Sequence, residues 1–134
     1  MASRDIKDLH HVCAEAHTLA SALYKERFPN DPQPFLTCTH RDNEEQTELY
    51  AQGRTKPGKI VTQAKAGQSP HNYKPSFAWD IAFINPLTKK LDWSDKLFRN
   101  YADCVKKVSS VIECGIDWKF KDAPHYELKG WKTF

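Results

Sequence analysis

Ile6, Leu9, Val12, Cys13, Ala16, Leu19, Ala20, Leu23 and Tyr24 recur at three- and four-residue steps. That period predicts an amphipathic helix over residues 5–27. Residues 28–34 hold three prolines with Asn30 and Asp31, and break it. The β-favouring run 35–39 predicts a strand. Asp42 or Asn43 then caps a second helix through Glu44, Glu45, Gln46, Leu49 and Tyr50, stopped by Gly53. Residues 53–68 are polar and read as a long loop with a short strand at 59–62. A loop of this length is functional or misassigned, and its running straight into His71 favours function. A strand is predicted at 77–84, a turn at 85–90 and a return at 91–93. Ser94 caps a third helix with Leu97, Phe98, Tyr101, Cys104, Val105, Val108 and Ile112 on one face, ended by Gly115. Strands at 116–120 and 126–128 complete the order. The pattern predicts a small α+β fold, an antiparallel sheet with about three helices, in one domain spanning residues 1–134.

Composition narrows the function. The net charge of +3 comes from twenty Lys and Arg mixed with seventeen Asp and Glu, without a basic stripe. Nucleic acid is therefore not an expected partner. A mild positive charge suits an anionic polymer such as a bacterial wall, or is an ordinary surface feature. Cys13, Cys38, Cys104 and Cys114 form no Cys-x-x-Cys pair, so a cysteine-based zinc site is not expected and reduced thiols are. No apolar run is long enough for a signal peptide or a membrane span, so synthesis in a cytoplasm without membrane insertion is expected.

The chemistry concentrates in two stretches. Residues 69–83 contain His71 and, nine positions later, Asp80; residues 121–128 contain Asp122 and His125. A carboxylate within Phe-Ala-Trp-Asp-Ile-Ala-Phe is costly to bury unless it is paired or bound to a metal. Alternation puts Ala78, Asp80 and Ala82 on one face, and small neighbours leave room for an ion. Two imidazoles and one carboxylate, His71, Asp80 and His125, form a catalytic zinc set with one position open. Asp122 is the spare carboxylate that moves protons. The plainer readings are a surface His71, a structural salt bridge at Asp80, and Asp122 capping a turn or pairing with Lys119 or Lys121. His10, His11 and His17 lie on the first helix without carboxylate support and read as solvated or partly packed.

The stretch 49–80 resembles the zinc peptidases that cut bacterial peptidoglycan stem peptides: the D-alanyl-D-alanine carboxypeptidases and the L-alanyl-D-glutamate endopeptidases, single-domain phage endolysins among them. The pattern Ser-x-His, Ala-x-Asp and Asp/Glu-x-x-His falls on Ser69, His71, Ala78, Asp80, Asp122 and His125. The resemblance runs from about Thr37 to Glu127. It implies one zinc per chain held by His71, Asp80 and His125 on the sheet, and Asp122 as general base and acid. It also implies that Arg41 binds a substrate carboxylate or the carbonyl oxygen as charge develops, with Gln46, Ser69 and Trp118 lining the site. Glu127 supports a zinc ligand or a neighbouring strand. The interval from His71 to Asp80 is longer than the family's, with Lys74-Pro75-Ser76 where the family has a glycine, which implies a bulged loop before the strand.

The expected activity is hydrolysis of the L-alanyl-D-glutamate bond by a monomer acting on peptidoglycan, after holin-mediated release from an infected bacterium. A D-Ala-D-Ala carboxypeptidase or dipeptidase, a hydrolase of another small amide, and a non-catalytic zinc-stabilised wall-binding module are the alternatives.

Overall fold

The computed structural model describes residues 2–133. Its elements are α1 (His11–Arg27), β1 (Pro34–Cys38), α2 (Asn43–Ala51), β2 (Ala78–Phe83), α3 (Asp95–Val108), β3 (Ile112–Cys114) and β4 (His125–Leu128), with short 3-10 turns between them. The strands form one antiparallel sheet in the order β1-β2-β4-β3. Three helices and an antiparallel sheet make the small α+β fold that the sequence pattern predicts.

Alternation along the strands divides the sheet into two chemically different faces. Trp79, Ile81 and Phe83 of β2 join Tyr126 and Leu128 of β4 against Cys13, Ala16 and Ala20 of α1 and Leu97, Phe98 and Tyr101 of α3. Trp79, Tyr101 and Tyr126 are fully enclosed, and Trp79 stacks on Tyr126 with ring centroids 5.5 Å apart. Each such buried aromatic contributes about 2–3 kcal/mol of apolar transfer. The opposite face carries Asp80, His125 and Glu127, and α2 with the 52–69 segment stands beside it.

Several boundaries differ from the sequence pattern, each for a local reason. Residues Ile6–Asp8 form a 3-10 turn capped by Asp5, and α1 starts only after His10, whose Nδ1 accepts from the Val12 amide. Of the two candidate caps of α2, Asp42 is used, accepting from the Glu45 amide. No strand forms at 59–62: this backbone is held by side chains instead, with Lys59 and Thr62 carbonyls accepting from Gln52 and Arg54. Helix α3 stops at Val108, because Ser109 is extended, and Ile112 belongs to β3. Ile112 sits four residues after Val108 and so mimics the helical period. The strand predicted at 116–120 is absent. Gly115–Asp117 is a 3-10 turn, and the Gly115 carbonyl accepts from the amides of Trp118 and Asp122 at 3.2 and 2.9 Å.

His17 departs most from expectation among the helical histidines. It is buried against α3, with Nδ1 2.6 Å from the Tyr101 hydroxyl, which also accepts from Trp79 Nε1 at 3.0 Å. Burial pushes its pKa down to about 4. The four cysteines are free and buried, as their apolar surroundings imply.

Candidate functional site

Three strands and one turn bring the charged residues together. Asp80 stands opposite His125 across β2 and β4, and opposite Cys38 across β1 and β2. The register shifts between Leu36 and Cys38, so an irregularity in β1 aims Cys38 at this point. His71 arrives from the 3-10 turn Pro70–Asn72. Ser69 Oγ accepts from the His71 amide at 3.2 Å, and the Asn72 side chain returns to the Ser69 amide at 3.2 Å. Both ends of the long His71–Asp80 interval therefore converge despite the extra residues, which form the exposed stretch around Tyr73 and Lys74.

The ring nitrogens are assigned by their fixed partners. His71 Nδ1 lies 2.8 Å from the Thr39 carbonyl, which can only accept, so Nδ1 carries the proton. His125 Nε2 lies 2.8 Å from Glu127 Oε1 and donates to it. The remaining nitrogens, His71 Nε2 and His125 Nδ1, both face Asp80 Oδ1, at 3.3 and 3.1 Å. In the neutral rings these are two bare lone pairs meeting a carboxylate oxygen, an arrangement that repels unless a cation or protons occupy it. The donor set of two imidazoles and one carboxylate fits zinc, and a carboxylate behind an imidazole is the usual outer support of such a ligand.

Without a metal, protons fill that role. Burial alone would lower the histidines, but the Asp80 carboxylate raises His71 to about 10 and His125 to about 9. Burial works to raise Asp80, and the two imidazoles nevertheless hold it well below the usual carboxylate range.

Cys38, His71 and Asp80 also form a cluster whose possible ligand atoms lie within 4.8 Å of one another. Cys38 Sγ approaches His71 on the Nδ1 side, at 3.6 Å, where the ring already donates to Thr39. The nitrogen it approaches is thus committed to Thr39, whereas Nε2 is the one that faces Asp80. Sequence reasoning gave Cys38 only a core role, and the strand irregularity that redirects it has no signature in composition.

These groups open onto a cleft of about 440 Å³ lined by Arg41, Ser69, Trp118, Asp122 and Trp131, among others. Arg41 Nη2 stands 3.8 Å from Asp80 Oδ2, and Nη1 donates to Gln46 Oε1 at 3.0 Å. Gln46 itself is fully buried, donates to the Ala64 carbonyl at 2.7 Å and does not line the cleft. Ser69 lines it, while its hydroxyl serves to present His71. Trp118 packs on His125 with ring centroids 5.3 Å apart and donates Nε1 to Glu113 at 3.2 Å. Asp122 is partly buried beside the cluster, and desolvation raises its pKa above the usual carboxylate value. Lys121 pairs with Asp95 at 2.6 Å instead, and no ion pair joins Asp122 to either neighbouring lysine among the described residues. Gly115 makes this packing possible, since a Cβ there would meet the Asp122 carbonyl at 2.2 Å.

Glu127 takes the supporting contact expected of it, and Trp131 is a side chain that the pattern did not place. Glu127 holds His125 through Oε1, and its Oε2 accepts from Trp131 Nε1 at 3.0 Å. The spacing of Glu127 from His125, two residues along a strand, was the available signal. Trp131 follows Gly130, whose positive φ of 68° folds the chain back over the site.

Comparison with known proteins places this geometry in context. Residues 62–128 match the D-alanyl-D-alanine carboxypeptidase family of M15 peptidases. The chain is 38% identical over 107 residues to the peptidoglycan L-alanyl-D-glutamate endopeptidase CwlK of Bacillus subtilis (strain 168). That match takes in 69% of this chain and 59% of the relative's length. Among solved structures, the fold matches the Serratia marcescens L-Ala D-Glu endopeptidase ChiX with a TM-score of 0.63, covering 99% of this chain and 92% of the other, at 14% identity.

Proposed function

The chain belongs to the D-alanyl-D-alanine carboxypeptidase family of M15 peptidases, and from that premise we propose that it is a zinc peptidase cutting the L-alanyl-D-glutamate bond of peptidoglycan stem peptides. One observation carries the metal part: His71 Nε2 and His125 Nδ1 converge on Asp80 Oδ1 while their other nitrogens are tied to Thr39 and Glu127. The choice of bond is supported by the activity in the name of the 38% identical relative.

His71 Nε2, Asp80 and His125 Nδ1 are the proposed ligands. Zinc in such a set supplies a Lewis acid that polarises a carbonyl and makes water acidic enough to attack at neutral pH. The chain's own groups do the rest. The Asp122 carboxylate accepts the proton of the attacking water and returns it to the departing amine, a task that its raised pKa suits. The Arg41 guanidinium, held by Gln46, stabilises the carbonyl oxygen as charge develops or pairs with a substrate carboxylate. Trp118 and Ser69 wall the space around the scissile bond.

The family description favours a second reading, removal of D-alanine. Digestion of purified sacculi separates the two. New N-terminal D-glutamate supports the endopeptidase; release of free D-alanine alone sinks it. The resemblance to endolysins extends the proposal to wall lysis by the added protein, which clearing of permeabilised cells measures. No helix among the described residues is long and apolar enough to cross a membrane.

A further inference from the structure

Beyond the histidines the cleft continues into a second space of about 540 Å³, with Trp131 and Lys132 on one wall and Gln63, Gly67 and Gln68 on the other. Tyr73 stands in this groove and donates its hydroxyl to the Gly67 carbonyl at 2.8 Å. The groove is tied to the cluster. Trp131 is fixed by Glu127, the same carboxylate that holds His125, and its ring lies 5.7 Å from Tyr73. The Thr133 amide donates to the Gly130 carbonyl at 3.0 Å, closing the turn that sets Lys132 beside Trp131, with Nζ 5.7 Å from that ring.

The charges of the two spaces differ. Asp80, Asp122 and Glu127 line the first. None of the side chains lining the second is a carboxylate. Lys132 borders both, and no ion pair engages it among the described residues. Lys74, further along past Tyr73, is by contrast paired with Asp8 at 3.6 Å. An acid-free groove with amide walls and an ammonium group that makes no ion pair among the described residues selects a peptide segment that carries a negative charge.

We propose that this groove is the subsite for the amine side of the substrate, with Lys132 pairing the free carboxylate of the D-glutamyl residue or of the residue after it. The inference rests on the endopeptidase reading above. In an L-alanyl-D-glutamyl unit the acyl side offers a methyl group, whereas carboxylates begin at D-glutamate. The groove's charge therefore sets the direction in which the peptide lies, and Lys132 is a specificity-determining residue.

The test uses soluble peptides containing the L-alanyl-D-glutamate bond, alike except that the carboxyl groups on the amine side are free or converted to carboxamides. The wild-type protein is expected to cleave the acid with a KM about two- to fivefold lower, the factor that an exposed ion pair of up to about 1 kcal/mol supplies. Lys132→Gln removes that preference by raising KM for the acid alone, kcat staying level, and Lys132→Arg keeps it. Equal KM values for both peptides in the wild type overturn the assignment, as does a Lys132→Gln protein that retains the preference. Cleavage of neither peptide by wild-type protein counts against the endopeptidase reading itself, and this inference falls with it.

Discussion

His125 and Glu127 lie two residues apart on β4, so strand alternation puts both on the site face, and the ring donates Nε2–H to the carboxylate at 2.8 Å. The donation leaves Nδ1 as a lone pair aimed at Asp80. Glu127→Gln presents an amide that can satisfy Nε2–H but no longer polarises the ring. Zinc affinity is expected to fall about 10- to 100-fold with the fold intact. Titration against a competing chelator measures it, and unchanged affinity removes Glu127 from the metal's support.

Asp122→Asn keeps shape and removes the carboxylate proposed to carry the proton. The expected outcome is a fall in kcat of about 10²–10⁴-fold at full zinc content. The sign of the pH dependence follows from the role. The carboxylate must be ionised to accept a proton, so activity rises with pH through the Asp122 pKa. Burial puts that limb above the ordinary carboxylate range. A variant with wild-type kcat assigns the proton transfer elsewhere.

Gly115→Ala tests how the site is held. The added Cβ would meet the Asp122 carbonyl at 2.2 Å and the His125 carbonyl at 3.0 Å, both backbone atoms with little freedom to give. A destabilisation of about 1–3 kcal/mol is expected from such overpacking. Denaturant unfolding checks it, and a variant as stable as wild type shows that the loop yields.

His17 gives the fold a sensitivity to acid that is independent of the site. Its pKa is pushed down to about 4 by burial, against an ordinary 6.5. The group contributes stability fully above pH 6.5, and this contribution is lost as pH falls toward 4, because the unfolded chain takes up the proton first. The loss is at most about 3 kcal/mol. His17→Gln, which can still bond Tyr101, should flatten stability across that window. An unchanged slope places the acid sensitivity in other groups.

The sequence made the central geometry readable because its chemistry is conspicuous there. A carboxylate inside Phe-Ala-Trp-Asp-Ile-Ala-Phe demands a partner, and strand alternation puts Asp80 and the small alanines on one face. A cap of α2 at Asp42 or Asn43 and the apolar faces of α1 and α3 were legible for the same reason, since local pattern and tertiary packing agree there, the exposed Leu19 of α1 excepted. Tertiary geometry hid the rest. The irregularity at Leu36–Cys38 aims a thiol at His71, and nothing in the run of β-favouring residues signals it. Residues 116–120 looked like a strand, yet the close approach of Asp122 to Gly115 forces a turn. Trp131 and Lys132 reach the cleft only because Gly130 reverses the chain after β4.

The central claim, a zinc ion held by His71, Asp80 and His125 for peptidoglycan cleavage, is tested most directly by zinc content and wall hydrolysis of wild-type protein beside His71→Ala. The account predicts about one zinc per chain in the wild type, as a single three-ligand site requires, and loss of both metal and cleavage in the variant. Wild-type protein that cleaves peptidoglycan without zinc, or a variant that keeps both, would contradict it.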